Sequence, residues 1–384
     1  MKKIRISTFY PIGAILLFIL FCVQMSNNNY SFEAILNNYS EDLTQEETVY
    51  KRITKNYSEC EQNMDAANIQ GFSDLPTHIQ TFLYYRHCRN FPMLLDVPDK
   101  CGGPEKSSDV FLLLVIKSSP ENYDRREVLR KTWAKERQYK DKWIRRIFIS
   151  GTSGSGKDKM RLNKLLRAEQ NENSDILQWN FDESFFNLTL KQILFLEWMD
   201  QNCPHVRFLL NGDDDVFANT DGMVDYLLDL PGNNGSSHLY TGFVFENTGP
   251  VRYKKSKYYV PEQIQKSDKY DPYCGGGGYL LSGYTAMIIY NMSKYIEVHP
   301  IDDVYIGACA VRAGLLPTFH MGVKTLGLLT SNGQKIDEQE PCHLKGLLLV
   351  HKYSPAQIYL MWHKMNDPRL RCGVHNLTRT EEAT

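Results

Sequence analysis

Short apolar runs alternate with amphipathic segments through the middle of this 384-residue chain. Four of the runs have the length and composition of buried strands, at 110–116, 144–150, 176–179 and 206–210. Helical spacing follows Asn122 and also covers 160–169, 188–202 and the segment after Thr220. This alternation of strands and helices predicts an α/β fold with a mostly parallel central sheet.

The amino terminus carries a different apolar run, 6–25, which contains no charged residue and follows Lys2, Lys3 and Arg5. Its length is sufficient to span a bilayer, and the basic residues before it favour a cytosolic amino terminus. We therefore predict a cytosolic tail at 1–5, a transmembrane anchor at 6–25, a polar, partly disordered stem at 26–80 and a lumenal domain at 81–384. A cleaved signal peptide is the alternative.

Composition agrees with a lumenal location. The net charge of -1 gives no indication of nucleic-acid binding. Of the nine cysteines, Cys22 lies in the predicted anchor and eight lie beyond it, an even number that is consistent with disulfides in an oxidising compartment. Seven Asn-X-Ser/Thr sequons point to the same compartment.

Three adjacent carboxylates, Asp213, Asp214 and Asp215, follow the fourth apolar run. Ligands bind at the carboxyl ends of strands in open α/β sheets. Carboxylates this close repel one another unless a cation intervenes, and their hard oxygen atoms suit Mg²⁺ or Mn²⁺. A solvated acidic turn is the alternative.

Other segments carry candidate chemistry. Asp302 and Asp303 precede an apolar helical segment, where they act either as a helix cap or as catalytic carboxylates. His351 follows another apolar run and is either a metal ligand or a structural residue, while the glycines at 275–278 allow a close backbone approach. The 151–157 segment matches most of a P-loop, but Asp158 replaces the required Ser or Thr, so we interpret it as a surface turn.

The joint order of several segments is more specific than any one of them. The set comprises 88–101, 125–133, 181–191, the acidic triple, the glycine run and 302–309. With these segments the chain resembles the inverting β-1,3-glycosyltransferases of the GT-A fold that are anchored in the Golgi membrane as single-pass type II proteins. The all-aspartate triple and four-glycine run resemble the β-1,3-N-acetylglucosaminyltransferase branch more than the galactosyltransferase branch.

The resemblance implies a Rossmann-like nucleotide-sugar transferase that uses UDP-N-acetylglucosamine, Mn²⁺ or Mg²⁺, and a galactose-terminated glycan acceptor. It also implies Asp303 as general base with Asp302 capping its helix, and Asp215 and His351 as metal ligands. Asp213 and Asp214 would orient the metal or the ribose. Lys117, Arg126 and Arg130 would contact the nucleotide, with solvated helix charge as the alternative. A galactosyltransferase that uses UDP-galactose and a non-catalytic lectin are the alternatives.

Overall fold

The computed structural model describes residues 44–54, 57–328 and 341–372. Within these ranges, no helix combines the length and apolar character that a membrane span requires. The predicted anchor at 6–25 lies outside the described residues.

The helices and strands alternate as the apolar pattern predicts. The helices are α1 (44–54), α2 (Thr77–Tyr85), α3 (Tyr123–Lys131), α4 (Gly156–Asn173), α5 (Leu188–Asn202), α6 (Thr220–Leu228), α7 (Gly283–Ser293), α8 (Asp302–Arg312), α9 (Pro341–Lys345) and α10 (Pro355–Met365). The strands are β1 (Met93–Leu95), β2 (Val110–Lys117), β3 (Arg137–Tyr139), β4 (Lys142–Thr152), β5 (Ile176–Asp182), β6 (Phe208–Asp213), β7 (Val216–Ala218), β8 (Tyr240–Gly242), β9 (Val244–Phe245), β10 (Tyr273–Cys274), β11 (Gly278–Ser282), β12 (Thr318–Phe319), β13 (Val323–Lys324) and β14 (Leu349–His351).

The central sheet has the strand order β1-β5-β4-β2-β6-β11-β8-β12, with β3 paired to β4. The four strands β5, β4, β2 and β6 are parallel, as predicted. The prediction of a mostly parallel sheet is nevertheless wrong, because β11 lies antiparallel to both β6 and β8, and β1 and β3 also pair in the antiparallel direction. The sheet is mixed, and the antiparallel return places the start of β11 beside the end of β6, where Gly278 pairs with Gly212.

Helices cover both faces of this sheet, and β2 is buried along its whole length. One apolar core includes side chains of α5, α7 and α8, and the other includes side chains of α3, α6 and α10. The two cores hold the carboxyl ends of β2 and β6 rigidly in place. This positions the acidic triple at a fixed edge of the sheet.

Packed structure begins before residue 81. Phe72, Leu75 and Ile79 form a small apolar cluster with Tyr259. In α1, the Tyr50 hydroxyl donates a 2.8 Å hydrogen bond to the Asn180 side chain. The parts of the predicted stem at 44–54 and 57–80 therefore pack against the domain, because several of their apolar residues are buried there.

Disulfides use six of the eight cysteines beyond the predicted anchor. The described residues form three bonds, Cys60–Cys88, Cys101–Cys203 and Cys342–Cys372. Cys274 and Cys309 are buried free thiols, so the even number of cysteines does not correspond to complete pairing.

Candidate active site

Three chain segments meet at the end of β6. The acidic triple connects β6 to β7, and β7 pairs with β14 so that Val216 lies opposite His351. The glycine run reaches the same point, since the Asp213 N–H donates to the Gly277 carbonyl at 3.3 Å. Residues from distant parts of the sequence are therefore brought to one edge of the sheet.

Asp213, Asp215 and His351 form a triad whose ligand atoms all lie within 4.8 Å of one another. His351 Nε2 lies 3.1 Å from Asp215 Oδ1 and 3.7 Å from Asp213 Oδ2. Asp215 Oδ1 is buried, and among the described residues only the His351 imidazole lies close enough to donate to it. Two carboxylates and an imidazole are a donor set that suits Mn²⁺ or Mg²⁺, so these three residues could hold such a cation.

The orientation of His351 also fits this use. Its Nδ1 lies 3.0 Å from the Thr325 carbonyl, a hydrogen bond that directs Nε2 toward the two carboxylates. Burial disfavours the charged imidazole, but the hydrogen bond and charge of Asp215 outweigh burial and raise the pKa of His351. In turn, His351 lowers the pKa of Asp215, although the burial of Asp215 alone would raise it.

Asp214 is directed away from the triad. Its carboxylate accepts a 2.8 Å hydrogen bond from Asn122 and lies 3.5 Å from Arg125 Nη1. Burial raises the pKa of Asp214, while hydrogen bonds from Ser118 and Asn122 oppose the rise. The structure thus brings Asp213 to the triad and uses Asp214 to anchor the turn to the loop before α3.

Lys117 connects the acidic triple to the second acidic pair. Its ammonium lies 3.0 Å from Asp213, 2.8 Å from Asp302 and 3.2 Å from the Gly276 carbonyl, and the side chain is 4% exposed. Burial alone lowers the pKa of Lys117, but the charges of Asp213 and Asp302 raise it well above its ordinary value. All three donors are used within the protein, and the nucleotide contact of Lys117 stays a prediction. We call the contacts of Lys117 with Asp213 and Asp302 the lysine bridge.

Arg126 and Arg130, for which nucleotide contacts are predicted, make buried contacts within the protein. All five N–H groups of Arg126 donate to Glu169, Ser118 and the carbonyls that follow Ser118. Arg130 makes a bidentate pair with the buried Asp175 at 2.8 and 2.9 Å. Both guanidinium groups are buried between α3, α4 and the start of β5. They hold the helices against the sheet.

Asp302 and Asp303 begin α8, as the sequence predicts, but Asp302 does not make the predicted capping hydrogen bond. Asp302 binds Lys117 instead of capping the helix. Asp303 accepts hydrogen bonds of 2.8 Å from the N–H groups of Gly276 and Val304. Burial and the neighbouring Asp302 charge raise the pKa of Asp303 from 3.8 to about 7, against the effect of Lys117 and the two N–H groups. A half-buried carboxylate with a near-neutral pKa is suited to accept a proton.

The glycine run lies between the triad and Asp303. A Cβ atom added to Gly276 would lie 3.2 Å from Asp303 Oδ2, and one added to Gly277 would lie 2.7 Å from the His351 ring. Side chains at these positions would displace one group or the other. The sequence predicted a close backbone approach here, but it did not identify Asp303 and His351 as the neighbours.

Residues that the sequence analysis did not select support this site. Ser118, Asn122 and Arg125 hold Asp214, and the Thr325 carbonyl orients His351. Asn122 directly precedes α3, a position that is typical of a helix cap, so the sequence did not indicate that it binds a carboxylate. The contact of the Thr325 carbonyl with His351 could not be predicted, because every residue has a backbone carbonyl.

Comparisons with known proteins agree with this geometry. A model of the galactosyltransferase family matches residues 124–319, a span that contains the acidic triple, the glycine run and the Asp302–Asp303 pair. Human N-acetyllactosaminide β-1,3-N-acetylglucosaminyltransferase 3 is 47% identical over 82% of each chain. A human acetylgalactosaminyl-O-glycosyl-glycoprotein β-1,3-N-acetylglucosaminyltransferase is 44% identical over 82% of this chain and 80% of the relative.

A third relative extends the same pattern. Rat UDP-GlcNAc:betaGal β-1,3-N-acetylglucosaminyltransferase 7 is 40% identical over 85% of this chain and 80% of its own length. These similarities confirm the predicted resemblance to the β-1,3-N-acetylglucosaminyltransferases. The chain belongs to the galactosyltransferase family, whose members transfer sugars.

Proposed function

We propose that this protein transfers N-acetylglucosamine from UDP-N-acetylglucosamine to the 3-hydroxyl of a terminal β-galactose on glycoprotein or glycolipid glycans, with inversion at the anomeric carbon. The observation that carries the proposal is the pairing of Asp303, whose pKa is about 7, with a cation-binding triad on the other side of the glycine run. The names of the relatives support the choice of donor and acceptor.

The triad is suited to the donor side of the reaction. Asp215, His351 and Asp213 would hold Mn²⁺ or Mg²⁺, which would neutralise the negative charge that develops on the departing UDP. Thr325 keeps His351 in the orientation that ligation needs, and Lys117 keeps Asp213 at the triad. The contacts from Thr325 and Lys117 hold His351 and Asp213 in one arrangement before the donor binds.

Asp303 is suited to the acceptor side. The acceptor 3-oxygen forms a bond to the anomeric carbon while the bond from that carbon to the UDP oxygen breaks, and the hydroxyl proton passes to Asp303. A single in-line displacement of this kind inverts the configuration. The two N–H groups on Asp303 fix the carboxylate in place, and its near-neutral pKa makes it a better proton acceptor than a metal-bound carboxylate.

The proposed location is the Golgi membrane, with a single-pass type II topology and a lumenal catalytic domain. The apolar run at 6–25 supports attachment to the membrane through an amino-terminal helix. The three disulfides support an oxidising lumen. Protease protection of the domain in sealed Golgi vesicles, lost when detergent is added, tests this topology.

A donor-by-acceptor screen tests the function. Purified full-length protein is supplied with Mn²⁺, a methyl β-galactoside acceptor, and either UDP-N-acetylglucosamine or UDP-galactose. We expect transfer from UDP-N-acetylglucosamine and a β-1,3 linkage in the NMR spectrum of the product. Efficient use of UDP-galactose alone would favour the galactosyltransferase alternative. Galactoside binding without turnover of either donor would favour the lectin alternative.

A further inference from the structure

A row of aromatic rings leads from the surface to the side of Asp303. We define the aromatic row as Phe319, Phe243, Phe245 and Tyr273, in that spatial order. Successive ring centroids lie 5.8, 5.1 and 5.3 Å apart. Three strands contribute to it, since β9 and β10 place Phe245 directly opposite Tyr273, and β12 pairs with β8 next to Phe243. The row is therefore a product of the fold and not of one sequence motif.

The inner end of the row lies beside the proposed base. Tyr273 packs against α8 so closely that a Cβ added to Gly307, one turn after Asp303, would lie 2.4 Å from Tyr273 Cβ. Burial raises the pKa of Tyr273, and the nearby charge of Asp303 raises it further. The Phe245 ring would lie 2.8 Å from a Cβ added to Gly275, at the start of the glycine run. The row thus begins at the active site.

The outer end of the row is open to solvent. Phe319 is 60% exposed on the edge strand β12, whereas Phe243, Phe245 and Tyr273 are half-buried. Phe319 is therefore an exposed ring that is connected through ring contacts to the side of Asp303. The position of the row beside the proposed base favours the acceptor over the donor as its ligand. Asp303 and the row lie on one side of this run, and His351 lies against Gly277.

We propose that the aromatic row is the platform for the acceptor glycan, a proposal that rests on the function proposed above. The terminal galactose packs the C–H groups of its apolar face on Tyr273 and Phe245, which places its 3-hydroxyl at Asp303. The following sugars extend over Phe243 to Phe319, because the ring spacing is comparable to the length of one sugar residue. The platform selects an extended, galactose-terminated oligosaccharide over a simple galactoside.

Phe319→Ala tests this proposal, because an exposed side chain on an edge strand is dispensable for folding. Full-length wild type and variant are assayed with UDP-N-acetylglucosamine and Mn²⁺ on methyl β-galactoside and on a linear galactose-terminated tetrasaccharide. We expect the KM for the tetrasaccharide to rise about 3- to 10-fold with little change in kcat, since one stacking contact is lost. The KM for methyl β-galactoside should not change, because a single sugar does not reach Phe319.

Two further variants complete the test. Phe319→Tyr keeps the ring and should restore the KM for the tetrasaccharide. Tyr295→Ala removes an aromatic side chain that is 82% exposed and outside the row, and it should leave both KM values unchanged. An unchanged KM for the tetrasaccharide in Phe319→Ala, or an equal rise for both acceptors, would overturn the platform alone. A wild type that transfers to neither galactoside would instead overturn the proposed function, and the acceptor class with it.

Discussion

Lys117→Met removes the charge of the lysine bridge while keeping an unbranched side chain of similar length. The wild-type ammonium lies 3.0 Å from Asp213 and 2.8 Å from Asp302, and the Lys117 side chain is 4% exposed. Removing one partner of a buried ion pair costs about 3–5 kcal/mol, because the remaining charge is left uncompensated. Asp213 is 33% exposed, so solvent relieves part of this cost, and we expect about 3 kcal/mol.

The assay is thermal unfolding of the full-length protein in EDTA, since a cation at Asp213 would partly replace the lost charge. A loss of about 3 kcal/mol corresponds to a fall in Tm of about 6 °C for a domain of this size. Lys131→Met is the matched control, because Lys131 also pairs with a carboxylate, at 2.5 Å from Glu127, but is 64% exposed. Exposed ion pairs contribute little to the free energy of unfolding, so the Tm of Lys131→Met should stay at the wild-type value.

One result would refute the lysine bridge. If Lys117→Met keeps the wild-type Tm and weakens UDP binding at least about tenfold, the ammonium contacts the nucleotide and does not hold the two acidic clusters together. A lower Tm, whatever the UDP affinity of the folded protein, is the outcome that the contacts predict.

Three other perturbations give separate checks. Asp215→Ala should abolish Mn²⁺-dependent turnover and UDP binding while preserving Tm, and full activity of this variant in chelator would reject the metal role. Arg126→Ala should lower Tm by several degrees, because it removes one of the two guanidinium partners of the buried Glu169, yet UDP affinity measured below Tm should not change. The pKa of Asp303 is raised from 3.8 to about 7. Its carboxyl group therefore does not lower the free energy of unfolding below pH 3.8, and it lowers this free energy by up to about 4 kcal/mol once ionised above pH 7. The difference in Tm between Asp303→Asn and wild type should therefore increase in favour of the variant from pH 5 to pH 8. The variant loses one accepted hydrogen bond, which lowers its Tm at every pH. A constant difference in Tm across this range would show that the carboxylate is not destabilised.

Local sequence patterns were sufficient for most of the strands and helices. The apolar run at 110–116 became β2, and the helical pattern at 188–202 became α5 with the same bounds. The direction of β11 was not predictable in this way, because a long connection without periodicity precedes it and pairing depends on contacts between distant strands. The mixed sheet follows from the antiparallel pairing of β11 together with that of β1 and β3.

The site shows the same division between local and long-range information. The carboxylates of the triple could be placed from the sequence because they directly follow a buried strand. The contacts of Arg126 and Lys117 could not be predicted from the sequence. A charged residue near the end of a helix or strand has the same local pattern whether it binds a ligand or a buried carboxylate. Their partners, Glu169 and Asp302, lie 43 and 185 positions away in the chain. The same applies to Asp302, which was predicted to cap α8 and binds Lys117 instead.

The central claim is that Asp303 accepts the proton of the acceptor hydroxyl while a separate triad binds the donor. The most direct measurement is turnover and UDP affinity in Mn²⁺ for wild type and Asp303→Asn, which keeps the shape of the side chain but cannot accept a proton. We expect turnover to fall by about 10²–10⁴ while the Kd for UDP stays at the wild-type value. Turnover of Asp303→Asn close to the wild-type rate would contradict the assignment, since Asp303 would then only support the start of α8 and the glycine run.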